Sequence, residues 1–270
     1  MNNFIRIFLC SLILSLASGQ ILAEDFDFHP ALSDNFILTA GAFRSDNSFK
    51  VRAEGTRTGP FERDIDFDDS LGVDSTSTLL NAQLRWKFGK GRKWSLWGQY
   101  FSNDASGEAT LEEDVEWQDV IFREGTFVGA GVKIEVIRLF IGRSFVKNER
   151  NDFGVGLGIH NLDLKAYIEG EIIIDVDIGE FYRGDAESSQ PLPNIGAWYN
   201  FSPARKWLIH GRIDWISADI GDYDGTLWNT NVGVNYQAFR HVGFDLSYQY
   251  FNLNLNVDKS DWNGGMDMTY

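Results

Sequence analysis

The sequence predicts an all-β fold: one antiparallel up-and-down transmembrane β-barrel of about 10–12 strands. Three observations carry this. Apolar and polar residues alternate over most of the 270-residue chain. Aromatic residues, 14% of the total, cluster at the ends of the alternating segments. Short basic turns alternate with longer acidic connections.

Alternation is clearest in two segments. From Leu79 to Phe88, one face reads Leu80, Ala82, Leu84, Trp86 and Phe88, and the other Asn81, Gln83, Arg85 and Lys87. From Leu227 to Ala238, Trp228, Thr230, Val232, Val234 and Tyr236 oppose Asn229, Asn231, Gly233, Asn235 and Gln237. A soluble sandwich could share that pattern, and a lipocalin-like barrel is the rival fold. Charges on the polar face favour a polar lumen and a lipid-facing exterior. The candidate lumen-facing charges are Arg85, Lys87, Lys133, Glu135, His210, Arg212, Asp214 and Asp245. In two places the apolar phase slips, near Tyr250–Phe251 and near His160–Asn161. A β-bulge at the first would keep one continuous apolar face.

The amino terminus reads as a secretory leader, residues 1–23. Arg6 precedes an apolar run, Ile7 to Ala17, and small residues follow at Ala17, Gly19 and Ala23. The run is too short for a membrane helix, which needs about 20 residues. Cys10, the only cysteine, lies inside it, so a chain cut at Ala23 has no disulfide and no thiolate metal site. Residues 24–34 are then a short periplasmic segment and 35–270 the barrel.

The alternation of turns and loops orients the barrel. Lys90, Arg92, Lys93, Lys147, Arg150, Arg205, Lys206 and Arg240 lie in or beside short turns, which face the periplasm in outer-membrane barrels. Segments 104–124 and 169–187 hold 8 and 7 acidic residues against one arginine each. The net charge of −15 argues against a nucleic-acid partner. The acidic loops suit divalent-cation bridges to lipopolysaccharide, or cation selection at a pore mouth.

Eleven segments read as strands, 35–44, 48–55, 78–89, 93–103, 126–146, 151–168, 191–202, 205–220, 226–239, 241–257 and 262–270, and either ten or twelve wall strands are expected, since 35–70 is misread or one segment is not in the wall. Bacterial single-chain barrels have an even number. Phe61–Asp74 is either a twelfth strand or an acidic rim loop.

Several segments resemble uncharacterised outer-membrane β-barrel proteins common in proteobacteria. They are IDFDDSLGVD (Ile65–Asp74), STLLNAQLRWKFG (Ser77–Gly89), LPNIGAWYNFSP (Leu192–Pro203), GDYDG (Gly221–Gly225) and FDLSYQYFNLNLNVDKSDWNG (Phe244–Gly264). The resemblance implies the fold and a place in the outer membrane, but no reaction. Such barrels end on a full strand closing with an aromatic. Trp262 to Tyr270 is short for that, so a missing part of the closing strand is expected.

No enzyme and no cofactor are expected. His160 with Asn161, and His210 with Asp214, read as a polar lumen network rather than a catalytic set, and GxSxG is absent. Asp219, Asp222 and Asp224, and Asp66, Asp68 and Asp69, read as turns rather than calcium loops, since no glutamate closes them. Gly154, Gly156 and Gly158 leave room in the lumen for Trp198. Two functions remain: a porin-like passive channel for small solutes, or a non-pore surface protein acting through its acidic loops on lipopolysaccharide or other partners. The barrel-assembly machinery is an expected partner of either.

Overall fold

The structure is a computed structural model that describes residues 9–14, 28–54, 64–118, 120–175, 178–220, 223–258 and 263–269. Its elements are β1 (Leu9–Leu14), α1 (Pro30–Ser33), β2 (Phe36–Asp46), β3 (Ser48–Glu54), β4 (Ile65–Asp66), β5 (Thr76–Phe88), β6 (Trp94–Thr110), β7 (Val115–Trp117), β8 (Val120–Phe122), β9 (Phe127–Lys147), β10 (Asn151–Asp175), β11 (Ile178–Ala204), β12 (Trp207–Ile220), β13 (Tyr223–Gln237), β14 (Val242–Asp258) and β15 (Asn263–Thr269).

Neighbouring wall strands pair antiparallel from β2 through β5, β6 and β9 to β14. The last position lies between β14 and the first strand. β15 fills its outer part, between β14 and β3, and β1 its inner part, between β14 and β2. Among the described residues the wall therefore has ten positions. Prolonged in its own two registers, β15 would bring Ser247 and Phe43 opposite one position, and Leu9 pairs with both. The apolar run read as a leader thus stands in the wall here. The residues around its expected cleavage points lie outside the described residues.

Of the two open counts, ten describes this wall, and one residue accounts for the eleventh segment. Segments 35–44 and 48–55 are one wall strand that changes partners at Asn47. Asn47 leaves the ladder because its groups bond elsewhere, its N–H to the Ser75 carbonyl at 2.6 Å and its Nδ2 to Ser77 Oγ at 3.2 Å. Nor does Phe61–Asp74 add a wall strand. Ile65–Asp66 pairs briefly with β3, and the rest turns Phe67, Leu71 and Val73 inward, while Phe61–Arg63 lie outside the described residues.

Strands also run further than expected. β10 and β11 are 25 and 27 residues long, where crossing needs about 9–11. Along them the polarity inverts while the in–out alternation continues. In β9, Ile137, Leu139 and Ile141 point out and Arg138 points in; further up, Lys133 and Glu135 point out while Val132, Ile134 and Val136 are buried. In β14, Phe244 to Tyr250 give the apolar outer face and Asn252 to Asn256 continue it, with Phe251, Leu253 and Leu255 inside. No bulge lies at Tyr250–Phe251 or at His160–Asn161, where the ladders run unbroken. Outside contact changes from lipid to water, so the apolar residues move from the outer face to the inner one.

Aromatic pairs mark both edges of the lipid band. Trp207 faces Tyr236 at 4.9 Å near the short turns, and Trp215 faces Trp228 at 6.3 Å higher on the same two strands. Eight residues separate the two levels. At ~3.3 Å per residue and ~40° tilt the band is about 20 Å tall.

Candidate functional site

The lumen is filled in layers. At the short-turn end, α1 lies inside the wall as a plug. Ala31 and Leu32 pack with Ile37 and Leu208. Pro30 at its first turn and His29 as its cap suit a helix start. Its carbonyls are held by wall cations: Arg85 and Lys87 donate to Ala31 at 2.7 and 2.6 Å, Lys147 donates to Leu32 at 3.5 Å, and Arg92 reaches Ser33. Arg240 clamps Asp34 through two bonds of 2.9 Å.

His29 is fully buried, and burial pulls its imidazole down from the ordinary 6.5 to about 4, aided by the Arg85 and Lys87 charges. The neutral ring therefore favours the folded plug. That contribution is complete above pH 6.5 and is lost as pH falls towards 4. Amide exchange at Ala31–Asp34 is expected to be slow at pH 7.5 and to accelerate, after correction for intrinsic rates, between pH 6.5 and 4. A flat protection profile in a His29→Gln variant is the control, and the same flat profile in the parent chain would refute the assignment.

Beside the plug, at the start of β10, lies an ion cluster on Asp152. Lys87 and Lys147 both meet its Oδ2 at 3.2 Å, and Ser144 and Trp198 donate to its Oδ1 at 2.6 and 3.3 Å. Next comes an aromatic trio, Trp97, Phe140 and Trp198, with ring centroids 4.6 to 6.1 Å apart. Trp198 fits because two glycines face it: a Cβ at Gly154 would stand 2.2 Å from Trp198 Cζ2, and one at Gly142 2.6 Å from its Cζ3.

A second cluster follows. Asp214 takes Arg138 at 2.6 Å, Arg212 at 3.0 Å and Asn194 at 3.1 Å. His210 Nε2 meets Asp245 at 2.8 Å across β12 and β14. His160 is fully buried on the same inner surface, apart from Asn161, which points outward. Cavities of about 110 and 70 Å³ adjoin this layer and share His210, Arg212 and Asp245 in their walls.

Six of the eight expected lumen charges, Arg85, Lys87, His210, Arg212, Asp214 and Asp245, thus lie inside. Lys133 and Glu135 do not. They point outward above the lipid band, paired with each other at 3.5 Å, and Tyr100 donates to Glu135 at 3.2 Å. The polarity inversion puts them there. Sequence reasoning missed Arg138, Lys147 and Asp152. Arg138 interrupts the apolar run VIRLFI (Val136–Ile141), which is the signal that would have found it. Asp152 follows a turn and reads as part of it. Among the described residues, Arg85, Lys87, Arg138, Lys147 and Arg212 share this half of the wall with Asp152, Asp214 and Asp245.

The outer half of the lumen is apolar. Inward residues of the wall, including Phe49, Phe101, Val132, Ile168, Leu227 and Phe251, form one cluster with Phe67, Trp117 and Phe122 of the loops. The acidic segment 104–124 is partly strand: β6 runs to Thr110, and the β7–β8 hairpin turns Trp117 into the barrel, where its Nε1 donates to Gly184 at 3.0 Å. Asp114, held below the usual carboxylate range by the Glu124 N–H and Arg123, tethers that loop. Segment 169–187 is ribbon on both strands, with Arg183 bonding Glu169 and Asp185 at 3.0 Å. Asp68 accepts from the Phe49 N–H, and burial together with Asp66 pushes its carboxyl up to about 6. Asp222 lies outside the described residues. Among those described, no group of three acidic, histidine or cysteine side chains could hold a metal ion.

No family model matches the chain, and no curated protein matches it in sequence. Among solved structures it is similar to the outer-membrane protease OmpT of Escherichia coli, at 12% identity over 91% of this chain and 95% of that one, with a TM-score of 0.52. The fold is an outer-membrane β-barrel. Other matches are the translocator domain of the autotransporter NalP of Neisseria meningitidis (9% identity, 99% and 88% covered, TM-score 0.39) and the attachment invasion locus protein Ail of Yersinia pestis (10%, 98% and 100%, 0.28). At such identities the likeness is one of fold alone.

Proposed function

We propose that the protein is a non-conducting, non-catalytic barrel of the outer membrane that acts through its extracellular end. The observation that carries this is the filled lumen: plug, aromatic trio and apolar outer core lie one above another. A pore needs a continuous aqueous path, and buried apolar layers of this kind hold none. The wall meanwhile rises well beyond the lipid on β10 and β11, where outward Asp163, Glu169, Asp185 and Glu187 alternate with Lys165 and Arg183. The ligand best suited to that face is lipopolysaccharide, its phosphates bridged to the carboxylates by divalent cations.

Two measurements test this. Full-length protein refolded into planar bilayers, with folding verified by heat-dependent gel mobility, is expected to give no steady current at two salt gradients. A stable unitary conductance would restore the channel reading. Replacing Asp163, Glu169, Asp185 and Glu187 together by their amides is expected to leave folding intact, since all four lie on the outer face, and to reduce magnesium-dependent retention of lipopolysaccharide. Undiminished retention would remove these carboxylates from the interaction.

A further inference from the structure

We propose that Arg143, with the β5–β6 turn beside it, binds the phosphate of an anionic glycerophospholipid in the periplasmic leaflet. Arg143 stands on the lipid face. Ile141 and Phe145 flank it there, 46% and 62% exposed, while Gly142 and Ser144 between them are buried. Across the ladders its neighbours are Trp94 on β6 and Val155 on β10, both exposed and apolar. Arg143–Trp94 is the last pair of the β6–β9 ladder, so the residue lies at the short-turn end, which faces the periplasm in outer-membrane barrels. Its guanidinium carbon lies 5.8 Å from the centroid of the Trp94 ring. Among the described residues the guanidinium has no other partner: it makes no ion pair and no hydrogen bond.

A full charge on a lipid face is costly unless it reaches the interface and meets a counter-charge. Stacking on Trp94 holds this guanidinium at the wall, with its N–H groups still to be satisfied. A phosphate matches that planar fork with two parallel bonds. The turn beside Trp94 adds positive charge. Gly89–Lys93 carries exposed Lys90, Arg92 and Lys93 and no acidic residue. Arg92 donates to the plug carbonyl of Ser33, and Lys90 and Lys93 form no ion pair among the described residues. The acidic residues of this end stand elsewhere. Asp152 is buried among its lysines, Asp34 is clamped by Arg240, and Glu149 sits on the next turn beside Arg150. Glu24, Asp25 and Asp27 lie outside the described residues, and the wall stands between Arg143 and the plug that they precede. An anionic headgroup suits such a site, whereas a zwitterionic one would bring its own cation among these.

The probe is dioleoylphosphatidylglycerol. Full-length protein folded in a neutral detergent is titrated with it and, separately, with dioleoylphosphatidylcholine, and bound lipid is counted by native mass spectrometry. The first phosphatidylglycerol is expected to bind about tenfold more tightly than the first phosphatidylcholine. Arg143→Gln is expected to weaken that binding about tenfold, the worth of one charged hydrogen bond, and to leave phosphatidylcholine unchanged. Lys206→Gln, on another short turn, is expected to change neither. Equal affinity for the two lipids overturns the proposal, as does parent affinity in Arg143→Gln. An equal loss in Lys206→Gln overturns it too, since that would mean diffuse attraction to a basic surface. Should Arg143→Gln fail to fold, Arg143→Lys is read in its place. It keeps the charge and loses the planar fork, so weaker first binding is expected, and parent affinity overturns the proposal.

Discussion

Asp152→Ala is expected to lower the free energy of unfolding by about 3–5 kcal/mol, the cost of leaving buried cations without their partner. Asp152 carries more than one bond. Its side chain is fully buried, Lys87 beside it is equally so, and Lys147 is nearly so. The substitution strands two ammonium groups and frees Ser144 and the Trp198 indole at once. Because Lys87 and Lys147 also hold α1, the plug should loosen with the cluster. Urea unfolding in lipid vesicles, followed by heat-dependent mobility, measures the loss, and Asp104→Ala on the outer surface should stay within about 0.5 kcal/mol of the parent. A loss under about 1 kcal/mol for Asp152→Ala would mean that the lysines find other partners in the lumen.

Trp198→Ala should cost about 3–5 kcal/mol, as truncation of a large buried aromatic does. The ring packs against Trp97 at 4.6 Å and Phe140 at 6.1 Å, and its removal leaves a void between two charged layers. Gly154 supplies the complementary test. A methyl group there would collide with the Trp198 ring and with the Arg143 carbonyl at 2.5 Å, so Gly154→Ala should cost about 1–3 kcal/mol by overpacking. In the double variant the ring clash is gone. The two costs should then sum to less than their separate values, measured by the same unfolding assay. Strict additivity would show that Gly154 is constrained by the backbone contact alone.

Fold class was legible in the sequence because period-2 alternation, aromatic strand ends and turn spacing are local signals. The strand count was not. It depended on Asn47, whose bonds to Ser75 and Ser77 come from a neighbouring strand. The inside–outside assignment was legible only within the lipid band. A polarity rule read along one strand holds while the solvent outside is lipid, and it placed Arg85, Lys87 and Arg212 correctly. Past the lipid edge the same rule put Lys133 and Glu135 on the wrong face and made a bulge of an unbroken ladder at Tyr250–Phe251. The plug was illegible for another reason. Residues 28–34 carry little pattern, and what fixes them is a set of cations on β5, β9 and the turns, distant in sequence.

The wall is also unusual in where it closes. Its tenth position is shared by the two ends of the chain, β15 above and β1 below. A chain processed after residue 23 has no β1. Val242–Ser247 on one side and Leu38–Phe43 on the other would then present rows of main-chain donors and acceptors to hydrocarbon. Each such group costs several kcal/mol unless it is paired. Cleavage there would therefore make processing and wall closure a single energetic problem. With β1 gone, the slot below β15 would offer an incoming strand a double set of main-chain hydrogen bonds, on β14 and on β2, without displacing any.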